Sequence, residues 1–127
     1  MKSGRKAQQI TDRELDLMKI LWESPDGLLV REIVERHPEP RPHVNTVATL
    51  IKILEEKGHV SHTIEGNAFR YHAVTPQKEL QNRSMKSLIN NFFGNSYKSA
   101  VSALVEDEKI SVADLHEIIE MIEKRNK

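Results

Sequence analysis

The chain has no cysteine and few aromatic residues, with three Phe, two Tyr and one Trp among 127 residues. Without Cys there are no disulfides and no thiolate metal sites, which suits a reducing cytosol and makes a cytoplasmic location the expectation. No apolar run approaches the roughly 20 residues a membrane helix requires, so no membrane insertion is expected. The basic start, Met1-Lys2-Ser3-Gly4-Arg5-Lys6, is not followed by an apolar stretch and does not read as a signal peptide. Formal net charge is zero. Affinity for a polyanion must therefore come from a local patch, from the basic tail or from doubling the chain.

Enzyme signatures are also missing. There is no Gly-rich phosphate loop, nucleophile elbow or carboxylate pair. His116-Glu117-Ile118-Ile119-Glu120 starts like a zinc-protease helix but ends in Glu where the second imidazole is needed, so it reads as an amphipathic helix. His59 and His62, three apart on a strand, point to opposite faces and do not share a metal. His62, on the apolar side next to Tyr71, reads as a packed, hydrogen-bonded histidine. The sequon Asn82-Arg83-Ser84 stands in a chain with no sign of secretion. No enzyme activity, cofactor or metal is expected.

The informative stretch is Thr46 to Gly58. Val47, Leu50, Ile51 and Leu54 recur at helical spacing and should face a core, whereas Asn45, Thr49, Lys52 and Glu56 lie opposite. Small hydrogen-bonding side chains and one cation make a face that fits a DNA major groove. Gly58 should stop this helix. Before it, Thr11 with Glu14 forms a capping box for a first helix whose stripe is Leu15, Met18, Leu21 and Trp22. Ser24-Pro25-Asp26-Gly27 makes a turn, and a second helix from about Leu29 to His37 turns Val30, Ile33 and Val34 inward. Pro38, Pro40 and Pro42 force an extended link, with Pro42 near the start of the third helix.

After the third helix the period changes to two. In Val60–Ile64 and Phe69–Ala73 apolar residues alternate, and Gly66-Asn67 suits a two-residue type II′ turn. That register pairs Ile64 with Phe69, His62 with Tyr71 and Val60 with Ala73, leaving Ser61, Thr63, Arg70 and His72 on the other face. The expected fold is mainly α with a small β-hairpin: a flexible basic arm at 1–9, a winged helix-turn-helix domain at 10–75 and a helical region at 76–127.

The helical region should begin with Thr75 as N-cap and Pro76 in the first turn, break at Gly94, and end in a helix capped by Ser111 with Asp114. Its stripes are too thin to close a core, which points to a shared core in a homodimer built from Leu88, Tyr97, Val101, Leu104, Leu115, Ile118, Ile119 and Ile122. The alternative folds these helices back on the first half of the same chain.

Ile10–Trp22, Asn45–Thr49, Leu54–Gly58, Phe69–Tyr71, Asn91–Asn95 and the helix after Ser111 form an ordered set. It resembles the penicillinase repressor and copper-transport repressor family of bacterial winged-helix regulators. The resemblance implies a homodimeric repressor on double-stranded, palindromic operator DNA. In the penicillin-responsive branch it further implies a membrane sensor with a metalloprotease domain and cleavage at an Asn-Phe bond in the arm. By alignment that bond falls at Ala103-Leu104, a departure from the pattern. The copper branch's cysteine cluster has no counterpart, and where some members carry an Arg in the recognition helix this chain has Lys52.

Asn45, Thr46 and Thr49 are the base-contact candidates, since Asn pairs bidentately with adenine and a Thr methyl meets the thymine methyl. Asn45 and Thr46 also stand where a helix is capped. His43, Lys52, Asn67 and Arg70 are the candidates for backbone contacts, with Lys2, Arg5 and Lys6 as weaker ones. The alternative function is a winged-helix protein-interaction module that binds no DNA.

Overall fold

A computed structural model describes residues 9–126; Lys2, Arg5 and Lys6 lie outside them. The chain divides into two compact units, the first running to Asn82 and the second starting at Arg83.

In the first unit, α1 spans Asp12–Trp22 and opens with the expected capping box. Glu14 N donates to Thr11 Oγ1 (3.2 Å) and Thr11 N donates to Glu14 Oε1 (3.1 Å). The buried stripe is broader than expected: Leu17, Met18, Ile20 and Leu21 are all buried, while Leu15 and Trp22 pack at the margin. The turn closes through Gly27 N donating to Ser24 O at 2.8 Å, with Gly27 at φ +87°. Leu28–Leu29 then forms a short strand, β1, that the sequence reading missed. It shortens the second helix, α2, to Val30–Arg36, against the expected Leu29–His37. Two residues carry no periodicity, and their partner strand lies far along the chain.

The third helix, α3, spans Val44–Glu56. Its N-cap is His43, whose Nδ1 accepts from Asn45 N at 3.0 Å, so capping falls to neither Asn45 nor Thr46. Val47, Ile51 and Leu54 are fully buried, and Leu50 packs against them. The helix ends in a Schellman arrangement: His59 N donates to Leu54 O, Gly58 N donates to Glu55 O, and Gly58 sits at φ +90°.

Strands β2 (Val60–Glu65) and β3 (Ala68–Ala73) pair antiparallel in the expected register, from Val60 with Ala73 to Glu65 with Ala68. Gly66, at φ +63°, supplies the left-handed residue that a II′ turn requires at its first position. With β1 added, the sheet order is β1-β3-β2. The fold of this unit is a winged helix-turn-helix. The apolar face of the hairpin is buried only at its base, by Val60 and Tyr71. Ile64 is 72% exposed and Phe69 42% exposed, because the tip extends past the core.

Helix α4, Gln77–Phe93, begins in the first unit and ends in the second. It starts one residue after Pro76. The Thr75 hydroxyl lies against His59, so the expected N-cap role of Thr75 is not what the structure shows. Gly94 and Asn95, both at positive φ, end the helix. In the second unit α5 (Tyr97–Glu106) is capped by Ser96, and α6 (Val112–Arg125) by the Ser111–Asp114 capping box. Ile89 is the one buried apolar side chain among the described residues of this unit.

Candidate nucleic-acid interface

Val47, Ile51 and Leu54 of the α3 stripe are fully buried, with Leu50 packed beside them, so the opposite face is held toward solvent. Asn45, Thr49 and Lys52 are exposed there, and Thr46 is half-buried beside them. Thr49 Oγ1 donates back to Asn45 O at 3.0 Å. With its proton so engaged, Thr49 offers a partner its methyl group and the accepting lone pairs of its oxygen. His43 accepts through Nδ1, so its neutral ring carries the proton on Nε2, which makes that atom a donor. Among the described residues Lys52 has no ion-pair partner, and it supplies the free positive charge of α3.

The other cation of this helix end is committed to the fold. Lys57 Nζ lies 2.7 Å from Glu14 Oε1, with both side chains largely buried, and donates to Gln9 O at 2.7 Å. The same Glu14 carboxylate serves the α1 capping box, so one acid ties the start of α1 to the end of α3.

On the wing, Asn67 is exposed at the turn. Arg70 is heavily engaged. Its Nε and Nη2 donate to the two Glu65 oxygens at 2.7 and 2.9 Å, and its Nη1 donates to Gly27 O at 3.0 Å and to Glu32 Oε1 at 3.4 Å. The hydrogen bond from Arg70 holds the Glu65 carboxyl below its ordinary range, and Glu65 in turn raises the guanidinium. A phosphate reaching Arg70 would have to displace Glu65. Glu32 also accepts from Leu29 N at 2.9 Å, so this network joins the wing to the first turn of α2.

His62 is the packed histidine that the sequence suggested. Its ring stacks on Phe69 with centroids 4.0 Å apart, and its Nδ1 lies 2.7 Å from Glu55 Oε2. It thereby links the wing to the last turn of α3. The partner Glu55 was not legible in advance, because it faces His62 only once helix and hairpin are packed together.

These elements, a polar-faced helix after a Pro-rich link and a wing docked beside it, run in the same order as in a known family. The penicillinase repressor family model matches residues 10–124. The chain belongs to the penicillinase repressor family. Among members, the penicillinase repressor of Bacillus licheniformis is 25% identical over 120 residues, covering 94% of each chain. The methicillin resistance regulatory protein MecI of Staphylococcus aureus (strain N315) is 23% identical over 120 residues, covering 94% of this chain and 98% of its own. A solution structure of the DNA binding domain of the repressor BlaI superposes with a TM-score of 0.52 at 26% identity. It covers 62% of this chain and 93% of that domain. Among the described residues of this family member, no helix is long and apolar enough to cross a membrane.

Proposed function

We propose that this chain, a DNA-binding transcriptional repressor of the penicillinase repressor family, acts in the cytoplasm as a homodimer on an operator with two-fold symmetry. The observation that carries the reading is the exposed face of α3. It is a row of small polar side chains, Asn45, Thr46 and Thr49, next to Lys52, which has no ion-pair partner among the described residues, on a helix whose other side is anchored in the core by Val47, Ile51 and Leu54. Asn45, Thr46 and Thr49 read base edges. His43, Lys52 and Asn67 touch the sugar-phosphate backbone, and Arg70 joins them where a phosphate outcompetes Glu65.

The second unit supports the dimer. Leu88, Tyr97, Val101, Leu104, Ile118, Ile119 and Ile122 are exposed, and Leu115 is half-buried. So much apolar surface on one small unit is the mark of an association surface. A second copy of the same helices would cover it and place two recognition helices about 34 Å apart, in successive major grooves.

Release by a membrane sensor protease fits the same arm. Ala103-Leu104 lies within α5, so a cut there requires that helix to open, and it would separate α6 from the rest of the seam.

Selection of bound duplexes from a random library, followed by affinity measurements across a salt series, tests the reading. The expected result is a two-fold symmetric site whose affinity falls linearly with the logarithm of salt. No sequence preference and no salt slope would instead make the chain a protein-interaction module.

A further inference from the structure

Along the apolar face of the wing, Val60, His62 and Ile64 of β2 stand opposite Ala73, Tyr71 and Phe69 of β3. Val60 and Tyr71 are buried at the base, at 3% exposure each, whereas Ile64 and Phe69 lie beyond the core. His62 sits where the burial ends. Its ring stacks on Phe69, 4.0 Å away and 13° from parallel, and meets Tyr71 at 5.7 Å and 60°. Its Nδ1 lies 2.7 Å from Glu55 Oε2 in the last turn of α3.

The opposite face of the wing is tied down as well. Arg70 Nη1 donates to Gly27 O and to Glu32 Oε1, so polar contacts reach the rest of the unit from both faces of the hairpin. A two-stranded hairpin is only marginally stable by itself. Past the core, these contacts replace the burial that holds its base. A short bond between an imidazole and a carboxylate is directional. The His62 and Glu55 side chains are 28% and 32% exposed, so water screens the pair and it adds little to global stability. What such a bond does decide is the balance between wing positions of nearly equal energy.

We propose that His62 and Glu55 are positioning residues: their hydrogen bond holds the wing against α3, so that Asn67 meets the DNA backbone while the polar face of α3 meets the bases. The DNA half of this statement rests on the reading above; the held wing does not. A wing already in place costs no ordering when DNA binds. A loose wing must be ordered at that moment and forfeits part of its contact.

Two measurements on the full chain test this, with substitutions at Glu55 matched in charge. Glu55→Gln and Glu55→Met both remove one negative charge, but only Gln offers a hydrogen bond to either tautomer of His62. A difference between them therefore reports the bond. The first measurement places nitroxide labels at Lys19→Cys and Thr63→Cys, exposed positions of α1 and of the wing in a chain with no cysteine of its own. Labelled chain is diluted with unlabelled chain, and the label–label distance distribution is read. One narrow distance is expected for the parent and for Glu55→Gln. A broad distribution is expected for Glu55→Met and for His62→Phe, which keeps a ring to stack on Phe69. An unchanged narrow distance in Glu55→Met overturns the held wing, whatever the DNA results.

The second measures affinity for the selected duplex. Glu55→Gln should stay within about twofold of the parent, and Glu55→Met should lose about tenfold, roughly threefold from each wing of the dimer. Equal affinity of these two variants overturns the positioning role. Asn67→Ala should cost the parent about threefold or more and cost Glu55→Met almost nothing further, since its wing has already left the DNA. A full additional loss there overturns the role too. The urea midpoint of each variant is the folding control, and His62→Phe carries the comparison if Glu55→Met fails it. A parent chain that selects no duplex, or in which Asn67→Ala changes nothing, overturns the DNA reading of the wing, while the label distances still judge whether the wing is held.

Discussion

Lys57 Nζ sits 2.7 Å from Glu14 Oε1, with side chains 14% and 4% exposed, although the two residues are 43 positions apart in the chain. The carboxylate also completes the α1 capping box, and the ammonium belongs to the residue that C-caps α3. The pair therefore locks the start of α1 to the end of α3. It also removes Lys57 from the charges available to DNA.

Breaking that pair strands a buried charge. Lys57→Met should lower the unfolding free energy by roughly 2–4 kcal/mol, and Glu14→Gln by a similar amount. The double substitution should cost clearly less than the sum, because each single change already abolishes the same contact. Urea unfolding of the four chains measures this; additive losses would mean that the contact contributes nothing.

A side chain at Gly27 would force its neighbours to move. A Cβ would lie 2.6 Å from His72 Cε1 and 2.9 Å from Arg70 Cγ, on a backbone already at φ +87°. Gly27→Ala should cost about 1–3 kcal/mol and disturb the Arg70 network, visible as a lower Tm. An unchanged Tm would show that the turn is not held as described.

On DNA, Thr49→Ala should relax base preference at one position of each half-site by about 1 kcal/mol or more. Lys52→Gln should weaken all sequences alike and reduce the salt slope by about one unit per half-site. Competition binding on matched and mismatched duplexes separates the two effects. If neither change matters, α3 is not the reading helix.

Replacing both Leu115 and Ile118 with Asp should split the dimer and weaken operator binding, since the second half-site no longer adds to the first. Sedimentation at micromolar concentration is the check. A parent chain that already sediments as a monomer would remove the basis for a shared core in the second unit.

Two titrations bound the pH range of the wing. The Arg70 hydrogen bond lowers the Glu65 pKa in the folded chain, so the pair contributes stability above the unfolded carboxylate value, about 4.3, and loses it as pH falls through the folded value. Burial, and then the nearby Glu55 charge, raise the Tyr71 phenol. Stability is therefore unaffected by this group below the unfolded value, about 10, and falls as pH rises from there through the folded value. The Glu65→Gln curve should therefore approach the parent curve at the acid end, whereas at the alkaline end the parent should lose stability relative to Tyr71→Phe, which has no phenolate to bury. Curves that stay parallel across pH would contradict both assignments.

Periodicity and turn chemistry were enough to place most elements. The 3.6-residue stripe of α3, the Gly58 stop, the Thr11 and Ser111 capping boxes and the hairpin register are local properties of the chain. Each is decided by residues within a few positions of one another, and the sequence displays them directly. The polar face of α3 was legible for the same reason, since burying Val47, Ile51 and Leu54 leaves Asn45, Thr49 and Lys52 outside.

What only the tertiary structure decided are the pairings across long stretches of chain. β1 exists because Leu28 and Leu29 meet Tyr71 and Arg70. Arg70 read as a free wing cation until Glu65, Glu32 and Gly27 closed on it, and Thr75 read as a helix cap until His59 and Trp22 took it up. A charged or polar side chain chooses its partner by distance in space, and separation along the chain does not encode that distance.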